Sequence, residues 1–158
     1  MKKLLFTLSL VLMSMGAFAQ TKTFEVGGKL NYGTDAPHFG IGAVARYNFD
    51  EHFRPELTMN FYPKDGNDVS AWDINANLHY LFHMTDRFKL YPLGGVGIMG
   101  ASYDGPAGST SSTKLGANLG GGLQFNLTDK LHLNAETYYQ FVSDDGRGVM
   151  SVSLVYVL

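Results

Sequence analysis

The chain has 158 residues, with 12 Lys and Arg against 14 Asp and Glu and a formal charge of −2. That length suits one domain, and the mild acidity offers no basic face for nucleic acid. The absence of cysteine removes disulfide frameworks, thiol nucleophiles and zinc–thiolate centres.

The first segment reads as a sorting signal. Lys2 and Lys3 precede an apolar run from Leu4 to about Met15, and Ala17-Phe18-Ala19 stands before Gln20. This order predicts a secretory signal peptide over residues 1–19, cut between Ala19 and Gln20. The alternative, a retained anchor helix, has a run that is short for a bilayer span. Cleavage removes two Lys and no acid, leaving residues 20–158 as one domain of formal charge −4. After the signal no apolar run approaches the length of a spanning helix, so any membrane span there must be made of strands.

From there the chain alternates with period two, the mark of strands with one apolar and one polar face. The first strand, about Thr23–Tyr32, places Phe24, Val26, Gly28, Leu30 and Tyr32 on the apolar face. Turn chemistry follows at Thr34-Asp35-Ala36-Pro37. The second, about Phe39–Asn48, offers Phe39, Ile41, Ala43, Ala45 and Tyr47, and the third, about Phe53–Tyr62, offers Phe53, Pro55, Leu57, Met59 and Phe61. Beyond a polar loop from Pro63 to Asp68, the fourth, about Ala71–Phe82, carries Trp72, Ile74, Ala76, Leu78, Tyr80 and Phe82. The fifth, about Phe88–Met99, carries Phe88, Leu90, Pro92, Gly94, Val96 and Ile98, and Ser102–Thr113 reads as the longest loop. The sixth and seventh form a hairpin from Lys114 to Phe141 about the turn Leu127-Thr128-Asp129-Lys130. After Ser143-Asp144-Asp145-Gly146-Arg147 an eighth strand runs to Leu158 with Met150, Val152, Leu154 and Tyr156.

The even connections share one pattern, seen in Tyr47–Phe53, Phe82–Phe88 and Phe125–Leu131: aromatic, polar, apolar, two polar or acidic residues, a basic or His position, then apolar. The odd connections share nothing. Tight turns at one end and dissimilar loops at the other are typical of outer-membrane barrels. Pro55 and Pro92, which cannot donate to a ladder, are expected at rim or bulge positions near the turn end.

Two barrels fit eight such strands. A soluble, lipocalin-like periplasmic barrel turns its apolar face inward around a ligand; a membrane barrel reverses this. No position on the apolar face is charged, although charged residues make up 16% of the chain. A lipid-facing Arg or Lys at mid-bilayer costs about 2–4 kcal/mol, which accounts for such a face. The polar face decides. A water-facing side would be dense in Lys and Glu; this one holds Gly27, Gly40, Gly42, Gly95, Gly97, Gly116, Gly120 and Gly122 with Asn and Ser. Its strand charges are Lys29, Arg46, Arg54 and Lys89 against Glu25, Glu56, Asp73 and Glu136, four against four, as mutual pairing inside a narrow barrel requires. With His79 and His132 they form the expected interior polar network. Aromatics gather near strand ends, among them Tyr32, Tyr47, Trp72, Phe82, Phe125, Tyr139 and Tyr156, as two lipid-interface girdles would.

Tyr91-Pro92-Leu93-Gly94-Gly95-Val96-Gly97 and Leu119-Gly120-Gly121-Gly122-Leu123-Gln124-Phe125 carry a resemblance. They are similar to the Pro/aromatic/Gly-rich strand, and the glycine strand after it, of the small outer-membrane β-barrels of the OmpA transmembrane-domain and OmpX type. The resemblance spans residues 20–158 and implies an all-β, eight-stranded antiparallel up-and-down barrel in the outer membrane of a Gram-negative bacterium. It also implies surrounding outer-membrane lipid, and barrel assembly machinery and periplasmic chaperones as partners in biogenesis. The ending Tyr156-Val157-Leu158 keeps the alternation without the terminal Phe usual in such barrels.

Other chemistry is weaker. Gly95-Val96-Gly97-Ile98-Met99-Gly100 fits a dinucleotide fingerprint in letters, but a Gly/Ser stretch follows where a helix must start. His132, Asn134, Glu136 and Tyr138 share the polar face and could suggest a lipid hydrolase, but without a serine at the matching place they read as interior packing. Asp65-Gly66-Asn67-Asp68 and Asp144-Asp145-Gly146 lack the ligand count of a calcium site. Asp35, Asp65, Asp68, Asp104, Asp144 and Asp145 against Lys64 and Arg147 make the outer loops acidic, which disfavours phosphate-rich ligands. The expectation is a non-enzymatic, structural or surface-interacting barrel with no catalytic residue, metal or cofactor, and a loop partner that the residues do not identify. A narrow pore for small solutes is the alternative within the same fold.

Overall fold

The computed structural model describes residues 2–3, 23–35, 37–64, 66, 68–106, 108–142 and 145–158. The expected cleavage point at Ala19 and Gln20 lies outside them. The strands are β1 (Thr23–Gly33), β2 (Phe39–Asn48), β3 (Phe53–Tyr62), β4 (Val69–Tyr80), β5 (Phe82–His83), β6 (Phe88–Gly105), β7 (Gly108–Asn126), β8 (Leu131–Val142) and β9 (Asp145–Val157). Each pairs antiparallel with its neighbours, β1 meets β9, and β4 meets β6, so the sheet closes on itself. The β4–β6 ladder stops at His79↔Leu93 and resumes as β5–β6 at Phe82↔Leu90 in unchanged register. Hence β4 and β5 are one interrupted strand of an eight-stranded barrel.

The register fixes the barrel's size. Stepping across paired residues from Phe82 through Leu90, Leu123, Ala135, Val152, Leu30, Ile41 and Phe61 arrives at Trp72, ten residues back along the starting strand. The shear number is therefore ten. With a rise of about 3.3 Å per residue and about 4.8 Å between strands, it tilts the strands by about 40° and gives a radius of about 8 Å. Such a cylinder has room inside for side chains and little else.

Burial is inverted relative to a water-soluble barrel. Among the described residues, 21 polar or charged side chains are buried against nine apolar ones, while leucines, valines and aromatics line the outside. The apolar face predicted for each strand points outward, which excludes the lipocalin-like arrangement. The inward glycines are not open space. A Cβ at Gly122 would stand 2.6 Å from the Tyr91 ring, and one at Gly40 would stand 2.5 Å from the Tyr62 ring. At these two glycines a tyrosine ring crosses the lumen, while Gly42, Gly95 and Gly97 face the side chains of Asn60, Asn77 and Asn75.

Three expectations change. Most of Ser102–Thr113, expected as the longest loop, is strand: β6 and β7 stay paired from Phe88↔Phe125 to Gly105↔Gly108. Alternating small residues such as Ser and Thr satisfy a two-stranded ladder without an apolar face to announce it. Pro92 and Pro55 lie at no bulge. Pro92 sits in an unslipped register with Gly121, opposite the gap between β4 and β5. Pro55 pairs with Leu78 on β4, while the β2–β3 ladder ends one residue earlier, at Arg46↔Glu56. Each proline falls where one neighbouring ladder is missing, so its absent N–H leaves no broken pair. Arg147, expected in an outer loop, belongs to β9 and is buried in the lumen.

The three turns that looked alike in sequence are built alike. Asp50 Oδ1 accepts the N–H groups of His52 and Phe53, Thr85 Oγ1 those of Arg87 and Phe88, and Thr128 Oγ1 those of Lys130 and Leu131. A short side-chain acceptor two and three residues ahead of its donors closes each turn. At Asp50 these two backbone donors hold the carboxyl below the ordinary aspartate value of 3.8.

Candidate functional site

Among the described residues, buried polar chemistry is concentrated in the lumen. Residues of alternate parity on every strand point into it, so groups far apart in sequence meet in layers.

The central layer turns on Arg46 of β2. Its Nε donates to Glu56 Oε2 at 2.6 Å and its Nη2 to Glu136 Oε1 at 2.8 Å, joining β3 to β8 across the lumen. Lys29 Nζ donates to the other Glu136 oxygen at 2.9 Å, and the Tyr91 hydroxyl adds a bond to Glu136 Oε1 at 2.7 Å. All these charges are buried. A buried ion keeps its charge only when paired and hydrogen-bonded, and here each carboxylate has at least two donors or cations beside it.

Toward the turn end, Arg54 donates to His79 Nδ1 from Nε at 3.2 Å, bonds Gln124, and stands 3.7 Å from Glu25. His132 Nδ1 meets Glu25 Oε1 at 2.6 Å and Gln124 Nε2 at 3.1 Å. Tyr91 stacks on His79 at 4.4 Å between ring centres, and the Arg54 guanidinium that bonds His79 lies 4.8 Å from the same Tyr91 ring centre. Toward the loop end, Arg147 Nη2 donates to Asp73 Oδ2 at 2.9 Å and Nε to Gln140 Oε1 at 3.0 Å, with the guanidinium 4.4 Å from the Tyr62 ring centre. Asp73 Oδ1 accepts from Asn60 and Asn75 at 2.6 Å each. Between these layers Asn118 Nδ2 bonds the amide oxygens of Asn75 and Asn77.

Nine of the ten residues proposed for the interior are thus buried; eight of them contact one another directly, and Asp73 instead contacts Arg147, Asn60 and Asn75. Lys89 is different. It faces the opening at the turn end, half-buried, with no ion pair among the described residues. The four-against-four balance holds with Arg147 in its place, since Asp73 pairs with Arg147. Sequence reading missed Arg147 because Asp144-Asp145-Gly146 carries turn chemistry up to its neighbour. It also missed Tyr62 and Tyr91, whose inward parity was the available signal. Of the aromatic positions, Tyr47, Phe82, Phe125 and Tyr156 stand outward near the turn end, and Tyr32, Trp72 and Tyr139 outward toward the loop end. Tyr47 is half-buried and the others are exposed.

Glu56, His79 and Glu136 bring ligand-type atoms within 4.8 Å of one another. The carboxylate oxygens are taken, although His79 Nε2 has no hydrogen-bond partner among the described residues. Arg46, Lys29, Tyr91 and Asn77 already bond the carboxylates, and a divalent cation there would sit among cations in a lumen whose charges balance. The row His132, Asn134, Glu136 and Tyr138 is buried too. Ser151 and Ser153, passed over in sequence, lie opposite Glu136 and Asn134 inside the same lumen. His132 Nδ1 is engaged by Glu25 and Gln124, so the row makes packing contacts in place of a nucleophile–base pair.

Residues 5–157 match the family model described as outer membrane protein beta-barrel domain. No curated protein matches the chain by sequence. Among solved structures the chain is similar to the N-terminal β-barrel domain of Pseudomonas aeruginosa OprF, at 15% identity and a TM-score of 0.76, covering 88% of this chain and 98% of that one. It is similar to Neisserial surface protein A at 17% identity and a TM-score of 0.68, covering 87% and 97%. It is also similar to Ail, the attachment invasion locus protein of Yersinia pestis, at 18% identity and a TM-score of 0.63, again covering 87% and 97%. At these identities the likeness is one of fold.

Proposed function

The chain belongs to the outer membrane protein β-barrel domain family, and from that premise we propose that it is a non-enzymatic integral protein of a Gram-negative outer membrane, structural or surface-interacting. One observation carries the reading: an uncharged outward face encloses a lumen closed by buried ion pairs, with Arg46 tying β3 to β8 at its centre. An apolar exterior belongs against hydrocarbon. In this reading the three like turns face the periplasm, and the loops and the β6–β7 tip face outside. The outward aromatics at each end mark the two interfaces, and insertion runs through the barrel assembly machinery with periplasmic chaperones.

A pore is not favoured, because Tyr62, Tyr91 and the asparagines occupy the volume beside the inward glycines. An enzyme acting on lipid is not favoured either, because His132 and its neighbours sit within the closed lumen. Two measurements test the reading. Detergent-refolded protein is expected to migrate differently in gels before and after boiling; identical mobility would remove the membrane barrel. In planar bilayers it is expected to give no steady conductance, and regular single-channel steps would overturn the plugged lumen.

A further inference from the structure

One of the three like turns departs from the others in its chemistry. Thr85-Asp86-Arg87-Phe88 and Thr128-Asp129-Lys130-Leu131 carry a fixed cation where Asp50-Glu51-His52-Phe53 carries an imidazole. A protonated lysine or arginine offers no lone pair to a metal ion, whereas a neutral histidine does.

His52 also has neighbours of its own. The gap between β4 and β5 lies beside it: the His52 carbonyl accepts the Leu81 N–H at 2.7 Å, and the His52 ring stacks on Tyr80 at 5.2 Å between centres. Two residues past Leu81, His83 brings a second imidazole to 6.0 Å from the first, with the ring planes 73° apart.

Each ring is held by one nitrogen. His52 Nδ1 meets the Leu81 carbonyl at 3.0 Å, and His83 Nε2 meets the Glu51 carbonyl at 2.6 Å. A carbonyl only accepts, so these two nitrogens carry the protons. The lone pairs are thereby assigned to His52 Nε2 and His83 Nδ1. A backbone carbonyl on the other ring N–H is what fixes tautomer and orientation in metal-ligating histidines. Metal–nitrogen bonds of about 2.0–2.1 Å, together with the size of the rings, place two ligating imidazoles about 5–6 Å apart between centres. Both histidines are exposed, so an ion reaches them without opening the barrel. Asp50, Glu51 and Asp129 outnumber Lys89 among the described residues that line the turn-end opening with His83, which favours a cation there.

The geometry points to a site for a borderline divalent cation (Zn²⁺, Cu²⁺ or Ni²⁺) shared by His52 Nε2 and His83 Nδ1. The carboxylate of Glu51 or Asp50 and water would fill the remaining positions. Two imidazoles select these ions over Ca²⁺ and Mg²⁺, which take oxygen ligands. The ion would staple the first turn to β5 across the break in the β4–β5 strand. In the proposed orientation the site faces the periplasm.

The test uses the full chain without a histidine tag, in lipid nanodiscs, with Zn²⁺ or Cu²⁺ as the sole added metal. Calorimetry is expected to give one ion per chain, and the electron paramagnetic resonance spectrum of the Cu²⁺ form to show two coupled nitrogens. Zn²⁺ is expected to shift the ring resonances of His52 and His83 and leave those of His38, at the loop end, in place. His52→Ala and His83→Ala should each weaken binding at least about tenfold, and His38→Ala should leave it unchanged. Excess Ca²⁺ should not displace Zn²⁺. No binding, a single coupled nitrogen, full affinity in either alanine variant of the pair, loss in His38→Ala, or displacement by Ca²⁺ would each overturn the inference. Should an alanine variant fail to fold, the Cu²⁺ spectrum and the ring resonances of the unaltered protein still decide.

Discussion

Arg46 and Glu136 stand 90 residues apart in sequence and 2.8 Å apart in the lumen, fully buried, with Glu56 on the other side of the same guanidinium. Removing Arg46 leaves two carboxylates facing each other with Lys29 as their remaining close cation. Arg46→Met is expected to destabilise the folded barrel by about 3–5 kcal/mol, the usual cost of stranding buried partners. Urea unfolding in detergent, followed through the single tryptophan Trp72, measures it. Adding Glu56→Gln to Arg46→Met should recover part of the loss, and a double variant no better than the single one would contradict the pairing.

Arg147 and Lys89 exchange the importance that their positions suggested. Arg147→Gln deprives buried Asp73 of its only cation within 4 Å among the described residues and is expected to cost about 3–5 kcal/mol. Lys89→Gln, at the open end without an ion pair, should cost under about 1 kcal/mol. Parallel unfolding curves test this, and equal losses would refute the assignment.

Glycine parity gives a third expectation. Gly122→Ala drives a methyl into the Tyr91 ring and should cost about 1–3 kcal/mol. Gly94→Ala points outward, its nearest neighbour 3.9 Å away, and should leave the midpoint of unfolding nearly unchanged. A reversed order would mean that the lumen and lipid faces are exchanged.

Asp50 supplies a pH signature at one turn. Two backbone donors lower its carboxyl below 3.8, so the stability it lends is complete above that value and is lost as pH falls through the lowered one. The His52 and Phe53 amide resonances should titrate with a midpoint under 3.8. Asp50→Asn, which keeps an acceptor oxygen, should abolish that titration. A midpoint at or above 3.8 would remove the turn bond as the cause.

The sequence by itself determined strand count, facing and turn end. Period two is a property of each strand alone, so Leu119, Leu123 and Ala135 declare one face without any knowledge of their partners. The like turns at Asp50, Thr85 and Thr128 are equally local, because each acceptor reaches only two or three residues ahead. What crosses the barrel needed the tertiary structure. The shear of ten follows from pairing register around the whole sheet, and it decides which inward residues share a level. Only that alignment brings Arg46 to Glu136 and Arg147 to Asp73, and leaves Lys89 at the opening. The β6–β7 ribbon was illegible for a different reason. Its Ser and Thr residues bury nothing, so no apolar period marks the strand, and hydrogen bonds to β6 alone hold it extended.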